Sequence, residues 1–288
     1  MGRRFPLTTT PGISDAATRW LAGERWDEAA PRRASTVMLV RDGEGDGGPE
    51  VFMLRRVSGM DFAPSVVVFP GGGVDERDGE LGLPWAGPSP AEWAERLGCS
   101  TAEAQMFVAA AIREVFEECG VLLAGPSASG PLASVDGPEW PEIRRSLIER
   151  RVSLADVLHD KGLVLRSDLV VAKAHWLTPV FEPRRYDTWF FAALMPPHQL
   201  ADGETTEADH ADWFVPSELL RAYAAGSALM LPPTVVCVEQ IADARCAADV
   251  VVHSEALPLV MPQVVSGPEG AAIEVVEVRR DVSAGEVR

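Results

Sequence analysis

The sequence predicts an α/β fold. Strand-length apolar runs alternate with longer amphipathic runs along the chain, Gly- and Pro-rich punctuation separates them, and no internal repeat or low-complexity linker divides the series. With 288 residues and 47% hydrophobic side chains, one elaborated domain can bury a full core. We place that domain at 34–254, with an N-terminal extension at 1–33 and a C-terminal extension at 255–288. Insertions are expected at about 74–99 and 125–165.

Taken in order, residues 1–33 are polar and Pro-punctuated, with a short helix expected around Ser14–Leu21. ASTVMLVR (34–41) and EVFMLRRV (50–57) read as buried strands flanking a Gly/Asp-rich loop. A third apolar run, Ser65–Phe69, stops at Pro70-Gly71-Gly72-Gly73. Residues 74–99 carry Pro84, Pro88, Pro90, Trp85 and Trp93 and read as an inserted surface segment. Ser100 with Glu103 forms a capping box and Gly120 suits a left-handed C-cap, so the stretch between them is one long helix. A loop at 125–138 precedes one or two helices. Strands return at 168–177 and 187–194. Helices follow at 217–225, with Ser217 as cap, and at 234–247. The last strand is expected at 273–280.

Composition excludes several functions. A net charge of −17 argues against a nucleic-acid polymer as partner, since phosphate backbones demand clustered Lys and Arg. The four cysteines, Cys99, Cys119, Cys237 and Cys246, have neither zinc spacing nor disulfide density. There is no signal-peptide run, no myristoylation pattern and no membrane-length apolar stretch, so the expectation is a cytoplasmic protein without membrane contact.

At ~100° per residue, Glu114, Glu117 and Glu118 share one arc of the long helix, with Val108, Ile112, Val115, Phe116 and Cys119 opposite. Glu114 and Glu118 are a like-charge i,i+4 pair, a cost that a cation would relieve. The plain reading is a solvated acidic face. The sharper one is a hard divalent cation, Mg²⁺ or Mn²⁺, with Arg113 orienting Glu117. The glycine cluster after a buried strand favours the second, because glycines let a loop approach a metal or diphosphate closely. Arg184 and Arg185, between two strands, could grip phosphates; a salt bridge of Arg185 to Asp187 or Glu182 is the alternative. Arg55 and Arg56 end a strand, where they either reach substrate or face solvent. Trp176, Trp189 and Trp213 read as core. His175, His198 and His210 are not spaced as a ligand set.

PGGGVDE (70–76) and REVFEECGV (113–121) together resemble the split box of the Nudix hydrolases, with about two dozen extra residues between the halves. TPVFEPRRYDTWFF (178–191) and LPPT (231–234) extend the similarity, most closely to the branch of coenzyme A diphosphatases that carry such an insertion. The resemblance implies an α/β/α sandwich around a mixed sheet with helical insertions. It implies Mg²⁺-dependent cleavage of a nucleoside-diphosphate derivative, a small-molecule partner such as coenzyme A, acyl-CoA, ADP-ribose or NADH. Glu114, Glu117 and Glu118 would hold the metal, with a Gly72 or Gly73 carbonyl. The proton acceptor would be Glu114, or Glu204 or Glu207 in the acidic loop GETTEADHADWFVP; the loop glutamate of the box would be Glu76 or Glu80. A non-catalytic nucleotide sensor is the alternative, disfavoured because the three carboxylates are retained. The chain ends Gly-Glu-Val-Arg, which is no peroxisomal tripeptide. Oligomeric state is not legible.

Overall fold

The long valine- and phenylalanine-rich runs pair first with each other. In the computed structural model, which describes residues 3–6, 13–45, 47–57, 65–204, 208–253, 257–267 and 270–278, Arg32–Asp42 lies parallel to Tyr186–Leu194 over nine residue pairs. Around them a mixed sheet runs through Ala208–Phe214, Pro49–Arg56, Arg32–Asp42, Tyr186–Leu194, Val170–Leu177, Leu259–Val260 and Glu277–Val278, in that order. Strands buried on both faces need apolar residues at both parities. Val37, Leu39, Trp189 and Phe191 face one layer, dominated by the helix Thr101–Cys119. Met38, Val40, Phe190 and Ala192 face the other, with Pro232–Ala242 among its helices. The result is the expected α/β/α sandwich. Each fully buried Leu or Phe contributes about 1.5–3 kcal/mol through area removed from water.

The sheet is split. Arg32–Asp42 and Pro49–Arg56 pair only at Val40–Asp42 with Pro49–Val51. Beyond that they diverge, and one segment enters the gap: Val67–Val68 pairs with Arg55 and Leu54, and Gly71–Gly73 pairs with Thr36, Ser35 and Ala34. A Cβ on Gly71 would lie 2.5 Å from the Ser35 carbonyl oxygen and 2.6 Å from the Thr36 Cα. Only glycine lets the two backbones meet there. The expected strand Ser65–Phe69 is thus reduced to two residues, and the glycines themselves carry the pairing.

The segment at 74–99 does not lie wholly at the surface. Its helix Pro90–Leu97, capped by Ser89, places Trp93 and Leu97 one turn apart and buries both, with Trp93 edge-on to Phe191 at 5.9 Å. The amphipathic spacing outweighs the prolines, which sit at the helix start and in turns. The helix Ile13–Leu21, the pair Trp140–Ile148 and Leu154–Lys161, and the strands Val170–Leu177 and Tyr186–Leu194 match the expected elements. Ser217 is not a cap: Pro216–Ala224 starts at Pro216, with Val215 before it making no side-chain cap bond. Half of the supposed acidic loop is a strand, Ala208–Phe214, at the sheet edge, where charged side chains protect an otherwise open ladder.

The two ends of the chain pair with each other. Arg3–Pro6 lies antiparallel to Gly270–Val275, which pairs on its other side with Gln263–Gly267. Arg3 also forms an ion pair with Glu239. The tail strand therefore begins at Gly270; residues 279–280 of the expected span lie outside the described residues.

Candidate active site

The long helix carries the site. Ser100 accepts from the Glu103 N–H while Glu103 accepts from the Ser100 N–H, and Gly120, at φ 71°, closes the other end. The acid-bearing side of the helix is covered by the 71–80 loop, so Glu114 is only 8% exposed and Arg113 is buried beside it. Arg113 holds the loop and the acids together. Its Nε and Nη2 donate to both oxygens of Asp78 at 2.8 and 3.0 Å, and Nη2 also donates to the Gly73 carbonyl at 2.9 Å. Nη1 donates to Glu114 Oε1 at 2.7 Å and Glu117 Oε2 at 3.2 Å. The Gly71 N–H donates to Glu118 Oε2 at 2.7 Å. A Cβ on Gly72 would stand 2.7 Å from the Glu114 carboxyl, whereas one on Gly73 would meet nothing within 4 Å.

Burial pushes the Glu114 carboxyl up to about 7, against the pull of Arg113 and with the help of Glu117; burial raises Glu117 as well. Asp78, Glu114 and Glu117 share a single guanidinium, which leaves an excess of negative charge in a poorly hydrated place. Among the described residues, no three acidic, His or Cys side chains are drawn into one ligating cluster. The reason is visible: Arg113 holds one oxygen each of Glu114 and Glu117, and Gly71 holds one of Glu118. Oε2 of Glu114 and Oε1 of Glu117 lie outside those bonds. An all-carboxylate donor set with surplus charge fits a hard cation such as Mg²⁺ or Mn²⁺, and has no nitrogen or sulfur for zinc.

The acids open onto a cavity of about 1030 Å³. Glu114, Glu117, Glu118 and Gly71–Gly73 line one part of it, and Phe5, Phe69, Trp176, Phe190, Tyr223 and Met230 another. Arginines of this acidic protein gather there. Arg33 pairs with Glu103 and both Arg77 and Arg150 with Asp75, while Arg32 and Arg56 make no ion pair among the described residues. Arg184 also lines the cavity.

Other expected residues stand elsewhere. Arg185 does not line the cavity: its guanidinium donates to the Thr178 and Ala29 carbonyls and to Glu28, not to Asp187 or Glu182. It staples the turn. Arg55 pairs with Asp209 at 2.7 Å outside the cavity, and its neighbour Arg56 is the one that reaches it, as alternation along a strand requires. Glu76 and Glu80 do not line it either; Glu80 accepts from Ser153 at 2.8 Å. Glu204 is exposed, and Glu207 lies outside the described residues. The sequence reading missed Asp78, whose signal was the capping-box pair Asp75 and Asp78. It also missed Arg32. Trp189 is core, stacked on His175 at 4.0 Å, but Trp176, although buried, faces the cavity.

Comparison with known proteins agrees with this geometry. A family model described as the NUDT19 Nudix domain matches residues 88–241. The chain is similar to putative nudix hydrolase 7 of Caenorhabditis elegans, 28% identical over 185 residues, which is 64% of this chain and 53% of that protein. It is also similar to the acyl-coenzyme A diphosphatase NUDT19 of Gallus gallus, 28% identical over 249 residues, covering 70% of this chain and 65% of that one. The chain thus spans between half and two thirds of the length of these curated relatives. Among solved structures, a NUDIX hydrolase from Alicyclobacillus acidocaldarius superposes with a TM-score of 0.62 at 26% identity, over 79% of this chain and 99% of that one.

Proposed function

The chain belongs to the Nudix hydrolases, and on that footing we propose that it cleaves the diphosphate linkage of a nucleoside-diphosphate derivative, with coenzyme A or an acyl-CoA as first substrate. The observation that carries the proposal is the knot around Arg113, which sets Glu114, Glu117 and Glu118 against a glycine loop at one end of a large cavity. The substrate choice is supported by the name of the relative in Gallus gallus, an acyl-coenzyme A diphosphatase. ADP-ribose and NADH share the same linkage.

Glu114, Glu117 and Glu118 would hold Mg²⁺ or Mn²⁺, which when bound supplies charge neutralisation at the diphosphate and acidifies a ligated water. The chain's own residues do the rest. Water adds to one phosphorus and the bridging P–O bond breaks. Glu114, held in place by Arg113, is the carboxylate assigned to take the proton released. Arg113 fixes the orientation of Glu114 and Glu117. Arg32, Arg56 and Arg184 line the cavity where phosphates need donors, and guanidinium forks bind them bidentately.

The test is incubation with coenzyme A, ADP-ribose and NADH, with Mg²⁺ or Mn²⁺ and with EDTA, followed by chromatography. The expected products are a nucleoside monophosphate or 3′,5′-ADP, absent in EDTA. No release from any of the three with metal present would favour a nucleotide-sensing role.

Among the described residues, no helix is long and apolar enough to cross a membrane.

A further inference from the structure

Five buried side-chain nitrogen or oxygen atoms have no hydrogen-bond partner among the described residues, and three of them, Arg56 Nε, Trp176 Nε1 and Glu182 Oε1, belong to side chains lining the same cavity. Trp176 is 4% exposed and Glu182 5%. They come from one strand-and-turn unit: Trp176 is the penultimate residue of Val170–Leu177, and Glu182 sits in the turn that leads to Tyr186–Leu194. A buried donor and a buried acceptor left unmade are a cost to the folded chain, and such groups are normally satisfied. Arg185 explains why the turn tolerates this. It anchors the turn from outside, through the Thr178 and Ala29 carbonyls, so Glu182 is not needed for its geometry.

The surroundings narrow the ligand. Phe69, Phe190, Tyr223 and Met230 supply ring faces and soft apolar surface on the same cavity. An acyl chain would leave the indole N–H and the carboxyl unsatisfied. A sugar would bring more hydroxyls than this wall has polar atoms. A flat heterocycle with one donor and one acceptor on its edge satisfies both. We propose that the Trp176–Glu182 wall receives the adenine ring of the substrate, its exocyclic amine donating to Glu182 and a ring nitrogen accepting from Trp176 Nε1. The assignment rests on the hydrolase reading above and names the base-specific end of that site. Burial, acting alone, pushes the Glu182 carboxyl up to about 7. Above that value it is ionised and accepts only, so a purine that lacks the 6-amino group leaves it unpaired and is disfavoured more strongly as pH rises.

Isothermal titration of the full chain in EDTA at pH 8, with AMP and with purine riboside 5′-monophosphate, which lacks the 6-amino group, reads this wall without turnover. AMP is expected to bind at least tenfold more tightly than the des-amino nucleotide. Glu182→Leu should weaken AMP at least tenfold and leave the des-amino nucleotide within twofold, whereas Trp176→Phe should weaken both. Trp176→Phe keeps an aromatic ring and most of the packing, and Glu182→Leu should raise Tm by removing an unsatisfied buried carboxyl, so a folding defect is separable from a binding one. Equal affinity for the two nucleotides, no AMP binding, or variants that bind AMP as the parent does would overturn the proposal. Failure of the hydrolase reading looks different: AMP is preferred and the preference is lost in Glu182→Leu, yet coenzyme A, ADP-ribose and NADH are not turned over.

Discussion

Arg113 and Asp78 meet across 35 residues of sequence through two parallel hydrogen bonds of 2.8 and 3.0 Å, both side chains nearly out of water. This fork, with the Gly71–Glu118 and Arg113–Gly73 bonds, fastens the glycine loop to the carboxylate helix. Removing Asp78 leaves the buried Arg113 Nε–H without an acceptor, although Nη1 and Nη2 keep Glu114, Glu117 and the Gly73 carbonyl. Asp78→Ala should therefore cost about 1–3 kcal/mol in urea unfolding, more than a surface pair. Arg113→Lys keeps the charge but cannot bond Asp78, Gly73, Glu114 and Glu117 at once, and turnover should fall at least ~100-fold. Parent-like stability of Asp78→Ala would remove the fork from this role.

Glu117→Gln and Glu118→Gln should each lower kcat by at least ~100-fold with the circular dichroism spectrum unchanged. Glutamine keeps the shape of each side chain and still accepts the Arg113 and Gly71 hydrogen bonds, so the fold should be kept. Near-normal turnover in both would contradict their role as ligands.

Two neighbouring glycines give an internal control. Gly72→Ala drives a methyl group against the Glu114 carboxyl at 2.7 Å, and Gly73→Ala meets nothing within 4 Å. The first should lose at least ~10-fold in kcat, since a small misplacement of a reacting group is felt strongly. The second should change stability by no more than about 0.5 kcal/mol. If both behave alike, the contact between loop and Glu114 is not what positions the acid.

Glu114 and Glu182 both have carboxyls raised from 4.5 to about 7 by burial. The folded chain holds these protons more tightly than the unfolded one. Their stabilisation is complete below about pH 4.5 and is lost as pH rises through 7. Urea unfolding in EDTA should show parent stability falling over that window relative to Glu114→Gln and Glu182→Leu, with a slope of at most about 1.4 kcal/mol per pH unit for each carboxyl. Mg²⁺ should oppose the fall, adding more stability at pH 8 than at pH 5, because ligation needs the ionised acids. Parallel curves for parent and variants would mean that both carboxyls are better hydrated than the geometry indicates.

The sheet and the helix were legible because their signals are local and dense. A capping box at Ser100 and Glu103, a Gly120 terminus and valine-rich strands leave little choice of conformation. That the three acids share one side of the helix was legible from helical spacing; their pairing with the glycine loop was suggested by the glycine cluster that follows a buried strand. What the sequence hid depends on distant pairing. Asp78 looked like one acid among several until Arg113 chose it, and Trp93 looked like a surface tryptophan until Phe191 was placed opposite. Arg55 and Arg56 could not be told apart without knowing which way the strand end faces. The strand Ala208–Phe214 was masked by its charges, which serve an edge position rather than a loop.

The pairing of Arg3–Pro6 with Gly270–Val275 sets a condition on biosynthesis. Phe5 and Ile273 are both part of the cavity wall. A growing chain can assemble the sandwich once residues up to about 260 have emerged from the ribosome, but the chamber stays unwalled on that side until residue 275 is made and finds its counterpart near residue 5. Residues near position 5 must wait for those near 273 before they have a place to bind.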